Sequence, residues 1–184
     1  QLKDLSDDHQ SGHVEQAIRH CKDFRMALDI GAHRGILTKR LCDRFEIVHA
    51  FEPTDLAKLI DARAIVHNVA VGRYPGYCSM QEGQENNGQT HVVQGQTVAV
   101  VTIDSLGLNP DFIKIDVEGY EFDVLRGARD TLEQYRPVLM VEENHLCKRY
   151  GHKESDASDF LLSIGYKRRQ LHKWMHGAEW VYTW

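Results

Sequence analysis

The sequence has few cysteines, and they do not form the pairs that metal or redox sites use. Four cysteines are scattered over 184 residues, without a C-x-x-C motif. This spacing argues against a disulfide framework and against a structural zinc site, and it is typical of a reducing compartment. We therefore expect a cytoplasmic protein.

Long apolar runs and an excess of positive charge are also missing. The longest apolar stretches, such as Val98 to Val101, are only a few residues long, whereas a membrane-spanning helix needs about 20 such residues. No charged-then-apolar signal segment follows Gln1, and no membrane partner is expected. The net charge of -5 gives no general attraction to polyanions, so nucleic acid is disfavoured as a partner, although a nucleotide cap stays open as a substrate.

Two phosphate-binding patterns are missing at the first apolar segment. Residues 26–35 read MALDIGAHRG, which predicts a buried strand, a tight turn and the start of a helix. His33 and Ile36 stand where a G-x-G-x-x-G motif needs its second and third glycines, and no Gly-Lys-Ser/Thr follows. The spacing from Asp29 through Gly31 to Gly35 is instead expected of enzymes that use S-adenosylmethionine (SAM). Asp29 would then bind the amino-acid end of that cofactor.

Strand-like and helical segments alternate along the chain. This order predicts an α/β fold with a doubly wound, mostly parallel sheet. We expect one domain over residues 1–184, with residues 1–10 frayed and a lead-in helix over residues 12–24. Strands are predicted over residues 64–71 and 98–103. One continuous helix is predicted from Phe122 to Tyr135, and the last two extended segments predict an antiparallel hairpin.

Residues 74–96 differ from the rest of the chain. They are rich in glycine, glutamine and asparagine, and they lack the crossover helix expected between two parallel strands. A long loop in a compact domain is usually functional or mobile. We interpret this segment as a flap or hairpin near the ligand site, and we expect it to select the acceptor together with residues 146–154.

A set of short motifs occurs in a fixed order along the chain. The motifs are Asp29-Ile-Gly-Ala-His-Arg-Gly35, Phe51-Glu-Pro53, Asn68-Val-Ala-Val-Gly72, Thr102-Ile-Asp-Ser-Leu106, Ile113-Lys-Ile-Asp-Val-Glu-Gly119 and Leu125-Arg-Gly-Ala128, followed by the strand end at Glu142. Together they resemble the FkbM family of SAM-dependent methyltransferases. One departure is His33, where the family more often has asparagine. The resemblance implies a class I methyltransferase fold, with a seven-stranded Rossmann-like sheet that ends in the antiparallel hairpin.

Cofactor-binding residues are expected at the carboxyl ends of the strands. Glu52 can accept hydrogen bonds from both ribose hydroxyls, and its charge would repel the 2'-phosphate of NADP. The resemblance implies that Asn68 and the backbone of Val69 and Ala70 frame the adenine, although backbone groups could equally satisfy Asn68. The full predicted set is Asp29, Gly31, Ala32, His33, Gly35, Glu52, Pro53, Asn68, Val69, Ala70 and Asp116.

Acidic strand ends offer two routes to methyl transfer onto a hydroxyl, which must lose its proton. In one route, Asp116, Glu142 or His145 acts as the general base. In the other, Asp116, Glu143 and Asn144 bind Mg2+, which lowers the pKa of the acceptor. The spacing of these three residues resembles the metal site of catechol-type O-methyltransferases.

Glu118 also follows the strand that carries Asp116. A carboxylate there could bind the cofactor's ammonium group, position the substrate or hold a metal. It could equally be an acid at a helix N-terminus, where the helix dipole favours negative charge.

The predicted activity is SAM-dependent methyl transfer to a hydroxyl on a sugar, a small metabolite or a nucleotide. One alternative is a catalytically inactive SAM-binding or interaction module. The other is a nicotinamide-dependent oxidoreductase on a similar sheet, against which the missing glycines argue. The sequence does not define an oligomeric state.

Overall fold

The computed structural model describes residues 12–82 and 90–184. The strands are β1 (Met26–Ile30), β2 (Ile47–Phe51), β3 (Ile65–His67), β4 (Ala70–Val71), β5 (Gly76–Glu82), β6 (Thr90–Val101), β7 (Phe112–Ile115), β8 (Val138–Asn144), β9 (Lys167–Trp174) and β10 (Gly177–Thr183). The helices are α1 (described over residues 12–18), α2 (Ile36–Cys42), α3 (Glu121–Arg126), α4 (Arg129–Tyr135) and α5 (Asp156–Ser163). Short 3-10 helices cover Asp55–Leu59, Asp104–Leu106 and His145–Tyr150. Residues 1–10, predicted to be frayed, lie outside the described residues.

Seven strands form the main sheet in the order β3-β2-β1-β7-β8-β10-β9. The five strands β3, β2, β1, β7 and β8 run parallel to one another, and β10 runs antiparallel to both β8 and β9. The predicted α/β class is therefore confirmed, as are the mostly parallel sheet and its C-terminal antiparallel hairpin.

Helices cover both faces of the main sheet. One apolar cluster contains residues of α1 and α2, such as Ile18 and Leu41, packed with Ala27 and Phe112. The other contains residues of α3, α4 and α5, including Leu125. The central strand β7 is buried along its whole length, which explains its continuous apolar character apart from one lysine. Within the described ranges, no helix is both long and apolar enough to cross a membrane.

Three predicted elements have different bounds. The strand predicted over residues 64–71 divides into β3, which joins the main sheet, and β4, which pairs with β6. The lead-in helix ends at residue 18 in tight turns at His20 and Cys21. The continuous helix after Phe122 is broken at Gly127, where a Cβ atom would lie 2.1 Å from the carbonyl oxygen of Gly72. The chain passes close to the Gly72 backbone at this point, so α3 ends at Arg126 and a separate helix, α4, begins at Arg129.

Residues 76–82 and 90–101 form an antiparallel pair of strands. This pair, β5 with β6, is joined by β4 in a separate three-stranded sheet. The strand predicted at residues 98–103 is thus the continuation of β6 up to Val101. Residues 83–89 of this segment lie outside the described residues.

Gly31 directly follows β1 at a position that has no room for a side chain. Its φ is +80°, and a Cβ atom there would lie 1.9 Å from the carbonyl oxygen of Asp116. Gly107 has a φ of +63°, but nothing lies within 4 Å of its Cβ position. A side chain at Gly107 would meet backbone strain alone, whereas a side chain at Gly31 would meet both backbone strain and a steric clash.

We expect Gly107→Ala to lower the free energy of unfolding by about 1 kcal/mol, the cost of a left-handed backbone for an alanine. Gly31→Ala is expected to lower it by about 3 kcal/mol or more, because the strain is joined by a clash with backbone. Urea unfolding of both variants measures the difference. Equal losses would show that the approach of Gly31 to Asp116 does not constrain the fold.

Candidate functional site

A cavity of about 620 Å³ opens at the carboxyl ends of β1, β2 and β7. Small-molecule sites typically have roughly 300–1,000 Å³, and doubly wound sheets bind ligands at this edge. The walls are formed by the turn after β1 and the loops after β2 and β7. The β5–β6 pair closes one side through Met80, Thr90 and Val92.

Most of the residues predicted to bind a cofactor line this cavity. They are Gly31, Ala32, His33, Glu52, Pro53, Val69, Ala70 and Asp116. Asp29, Gly35 and Asn68 do not line it.

Glu52 is held at the tip of β2 by groups from two loops. Its Oε2 atom accepts a hydrogen bond from the His33 amide at 2.8 Å. Its Oε1 atom accepts from the amide and hydroxyl of Thr54 at 2.9 and 2.6 Å. Each carboxylate oxygen has two lone pairs, so Glu52 keeps acceptor capacity for a ligand while its orientation is fixed.

Asn68 and Gly35 support the walls. The Asn68 amide donates to the carbonyl oxygens of Glu52 and Thr54 at 2.8 and 3.0 Å. This agrees with the alternative in which backbone satisfies Asn68. Gly35 precedes α2 with a φ of +77°, and a Cβ atom there would lie 2.9 Å from the Cα of Ile60. Its small size therefore serves backbone packing.

Asp29 is buried behind the cavity in an ion pair. The residue is 0% exposed, and its Oδ2 atom accepts a hydrogen bond from the Thr38 hydroxyl at 2.6 Å. Its Oδ1 atom lies 3.3 Å from Lys114 Nζ. The same ammonium donates to the Gly31 carbonyl oxygen at 2.8 Å and lies 3.5 Å from Asp116 Oδ2. Lys114 thus joins β1 to β7, and of the two carboxylates only Asp116 lines the cavity.

The ammonium of Lys114 stays charged although it is buried. Burial opposes the charge, but Asp29 and Asp116 outweigh that effect and hold the pKa above its usual range. Sequence reasoning missed this lysine. The feature that could have pointed to it is that Lys114 is the single charged residue inside an otherwise apolar strand.

The loop after β7 has an unusual backbone conformation. Glu118 has a φ of +56°, and His33, which also lines the cavity, has a φ of +51°. Such strain in residues other than glycine is concentrated at functional sites. The Glu121 carboxylate holds the loop, since its Oε1 atom accepts hydrogen bonds from the amides of Val117 and Gly119 at 3.1 and 3.0 Å.

The polar residues at the end of β8 lie outside the cavity lining. Glu142 Oε1 accepts a hydrogen bond from the Asn144 amide at 2.9 Å. The exposed His145 has its Nδ1 atom 3.2 Å from the carbonyl oxygen of His176. Of the three predicted general bases, Asp116, Glu142 and His145, only Asp116 lines the cavity.

The predicted Mg2+ ligands Asp116, Glu143 and Asn144 are not brought together, and this prediction is corrected. Side chains alternate along a strand, so Glu143 lies on the opposite face of β8 from Asn144. Glu143 accepts a hydrogen bond from the Tyr182 hydroxyl, and the side-chain Oδ1 atom of Asn144 accepts from the Leu146 backbone amide at 2.9 Å. Across residues 12–82 and 90–184, no three or more His, Cys, Asp or Glu side chains are grouped to hold a metal ion.

The strand order, with its antiparallel β10, is that of a class I methyltransferase, and comparison with known proteins identifies the family. The sequence profile of the Methyltransferase FkbM domain matches residues 29–168. The chain therefore belongs to the FkbM family of SAM-dependent methyltransferases. A search of curated proteins found no significant match.

Solved structures share the fold. An FkbM methyltransferase from Methylobacillus flagellatus KT aligns with a TM-score of 0.60 and 21% identity, covering 87% of this chain and 43% of that one. The magnesium protoporphyrin IX methyltransferase ChlM from Synechocystis PCC 6803, with bound SAM, has a TM-score of 0.55, 11% identity and coverage of 97% and 78%. The N-methyltransferase NodS from Bradyrhizobium japonicum WM9, in complex with S-adenosylhomocysteine (SAH), has a TM-score of 0.56, 12% identity and coverage of 97% and 86%. The chain thus spans less than half the length of the Methylobacillus protein.

Lys114→Met leaves the buried Asp29 carboxylate without its cation. We expect the free energy of unfolding to fall by about 3–5 kcal/mol, as for other buried pairs that lose one partner. Adding Asp29→Asn should recover a large part of the loss, because removing both charges costs less than removing one. Urea unfolding of the two single variants and the double variant gives the coupling. Additive losses would contradict the ion pair.

Glu121 makes stability depend on pH. Burial raises its pKa to about 8, so from about pH 5 to pH 8 the folded state binds a proton that the unfolded state has released. The free energy of unfolding therefore falls as pH rises through this range. Glu121→Gln keeps an amide oxygen for Val117 and Gly119 but carries no charge, and we expect a shallower fall. Denaturation across this range tests the expectation, with surface Glu133→Gln as the control. An unchanged slope in Glu121→Gln would contradict it.

Proposed function

We propose that this chain binds SAM in the cavity at the ends of β1, β2 and β7 and methylates a hydroxyl oxygen. The observation that carries the proposal is the fixed carboxylate of Glu52, which lines the cavity and keeps one acceptor position, on Oε2, for a ribose hydroxyl. Its charge disfavours a 2'-phosphate in the same position. Membership of the FkbM family supports the choice of cofactor.

The cavity residues fit the parts of SAM from one end to the other. Val69 and Ala70 lie beside Glu52 in the wall and would contact the adenine. The turn at Gly31 and His33 would contact the amino-acid end. Asp116 takes the position facing the ammonium group in this proposal, because Asp29 is buried against Lys114.

When bound, SAM supplies a methyl group on a positively charged sulfur. The residues of the chain would hold the acceptor oxygen in line with that methyl group, and such positioning supplies much of the rate in group transfer. A hydroxyl acceptor must also lose its proton, and carboxylates suit that role. Asp116 and Glu118 both line the cavity. The proposed acceptor is a hydroxyl on a sugar, a small metabolite or a nucleotide.

Calorimetric titration with SAH tests the cofactor. We expect wild-type protein to bind SAH and Glu52→Gln to bind it about 10- to 100-fold more weakly, because the hydrogen bond from the ribose to a charged acceptor is lost. The surface variant Glu133→Gln should bind like the wild type. A separate titration with NADH tests the alternative cofactor. Folded wild-type protein that does not bind SAH, or that binds NADH instead, would overturn the proposal.

A further inference from the structure

A second cavity of about 490 Å³ lies beside the cofactor cavity. Its lining is aromatic and basic, with Tyr77, His91, Tyr120, Arg149 and Tyr150. Tyr120 also lines the first cavity, so the two spaces share a wall. A ligand in the second cavity would therefore lie next to the place where methyl transfer is proposed.

Aromatic rings are held in place between the two cavities. The Tyr150 hydroxyl donates to the Val92 carbonyl oxygen at 3.2 Å, which ties the 3-10 helix at His145–Tyr150 to β6. The Tyr120 and Tyr150 rings contact edge to face, with their centroids 4.8 Å apart. Aromatic surfaces of this kind pack against flat or ring-shaped ligands.

Arg149 supplies a positive charge at the same cavity. It forms no salt bridge within the described ranges, whereas the neighbouring Lys148 pairs with Glu154 at 2.5 Å. A guanidinium group recognises carboxylate and phosphate through two parallel hydrogen bonds. The lining thus combines a surface for a ring with a cation for an acid.

Glu118 lies in the wall of the cofactor cavity, two residues before Tyr120. Its backbone is in the left-handed region, and its Oε2 atom is buried with no hydrogen-bond partner in the described part of the chain. Asp116 differs, because its Oδ2 atom lies 3.5 Å from the Lys114 ammonium. The unpartnered oxygen of Glu118 is thus the one placed to accept a proton.

The charges around Glu118 suit a base that works near neutral pH. Burial, together with the negative charge of Asp116, raises the pKa of Glu118 to about 7. Arg149 and Lys114 act in the opposite direction. A general base is most effective when its pKa lies near the working pH.

We propose that Glu118 is the general base and that the acceptor is a hydroxylated ring compound with an anionic group. The ring lies against Tyr120 and Tyr150, and the carboxylate or phosphate binds Arg149. This inference rests on the proposed SAM-dependent methylation. As the acceptor oxygen bonds to the methyl carbon, the carbon–sulfur bond breaks and its electron pair stays on sulfur, which leaves SAH. The hydroxyl proton passes to Glu118 and then to solvent.

Binding of model acceptors tests the cavity. The SAH-loaded full chain is titrated with 4-nitrophenyl β-D-glucuronide, with its 6-phosphorylated glucoside analogue and with the neutral glucoside. We expect at least one anionic probe to bind tenfold or more tighter than the neutral one. Arg149→Gln should remove this preference and Lys148→Gln should keep it. If neither anionic probe binds, or if Arg149→Gln leaves the preference unchanged, the acceptor assignment is wrong.

Methyl transfer from labelled SAM to the tighter anionic probe tests the base. Glu118→Gln is expected to lower kcat by about 10²- to 10⁴-fold, with KM for the probe and SAH affinity changed less than about threefold. Wild-type kcat should rise through an inflection near pH 7, which the variant lacks, and Glu133→Gln should behave like the wild type.

Three results would overturn the assignment of Glu118. The first is a kcat of Glu118→Gln equal to that of the wild type. The second is a loss of SAH affinity in Glu118→Gln as large as its loss of kcat. The third is that the wild type transfers no methyl group to a probe that it binds. Each is obtained with wild-type protein that binds SAH, so it leaves the cofactor proposal standing. Failure of the wild type to bind SAH would instead reject the proposed function.

Discussion

The buried ammonium of Lys114 is the interaction on which the ligand-binding edge of the sheet depends. It lies among the carboxylates of Asp29 and Asp116 and the carbonyl oxygen of Gly31. A buried charge is tolerated only when its partners are fixed in good geometry. Lys114 therefore fixes the ends of β1 and β7 relative to each other. It also turns Asp29 away from the cavity and leaves Asp116 at the cavity wall.

The acids at this edge consequently divide into two kinds. Asp29 and Glu121 are buried and hold the turn after β1 and the loop after β7. Glu52 and Glu118 line the cavity, each on a backbone that other groups hold in place. Such prior ordering lets a site bind and react without first reorganising itself. The proposed roles in binding ribose and taking a proton both follow from this division.

The fold was predictable from the sequence because alternating buried strands and amphipathic helices leave local patterns. The position of Glu52 was predictable because proline ends its strand at the sheet edge. The burial of Asp29 was not, since a motif on β1 does not show which residue of β7 faces it. The predicted Mg2+ site was wrong because β8 continues to Asn144. Side chains alternate between the two faces of a strand, so Glu143 and Asn144 lie on opposite faces. The break at Gly127 came from a contact with a distant carbonyl.

The most direct measurement is a crystal structure of this chain with SAH. The account predicts that a ribose hydroxyl donates to Oε2 of Glu52, while Asp29 stays bound to Lys114 and Thr38. A nucleoside lying away from Glu52, or an Asp29 side chain turned into the cavity to hold the ligand's ammonium group, would contradict it.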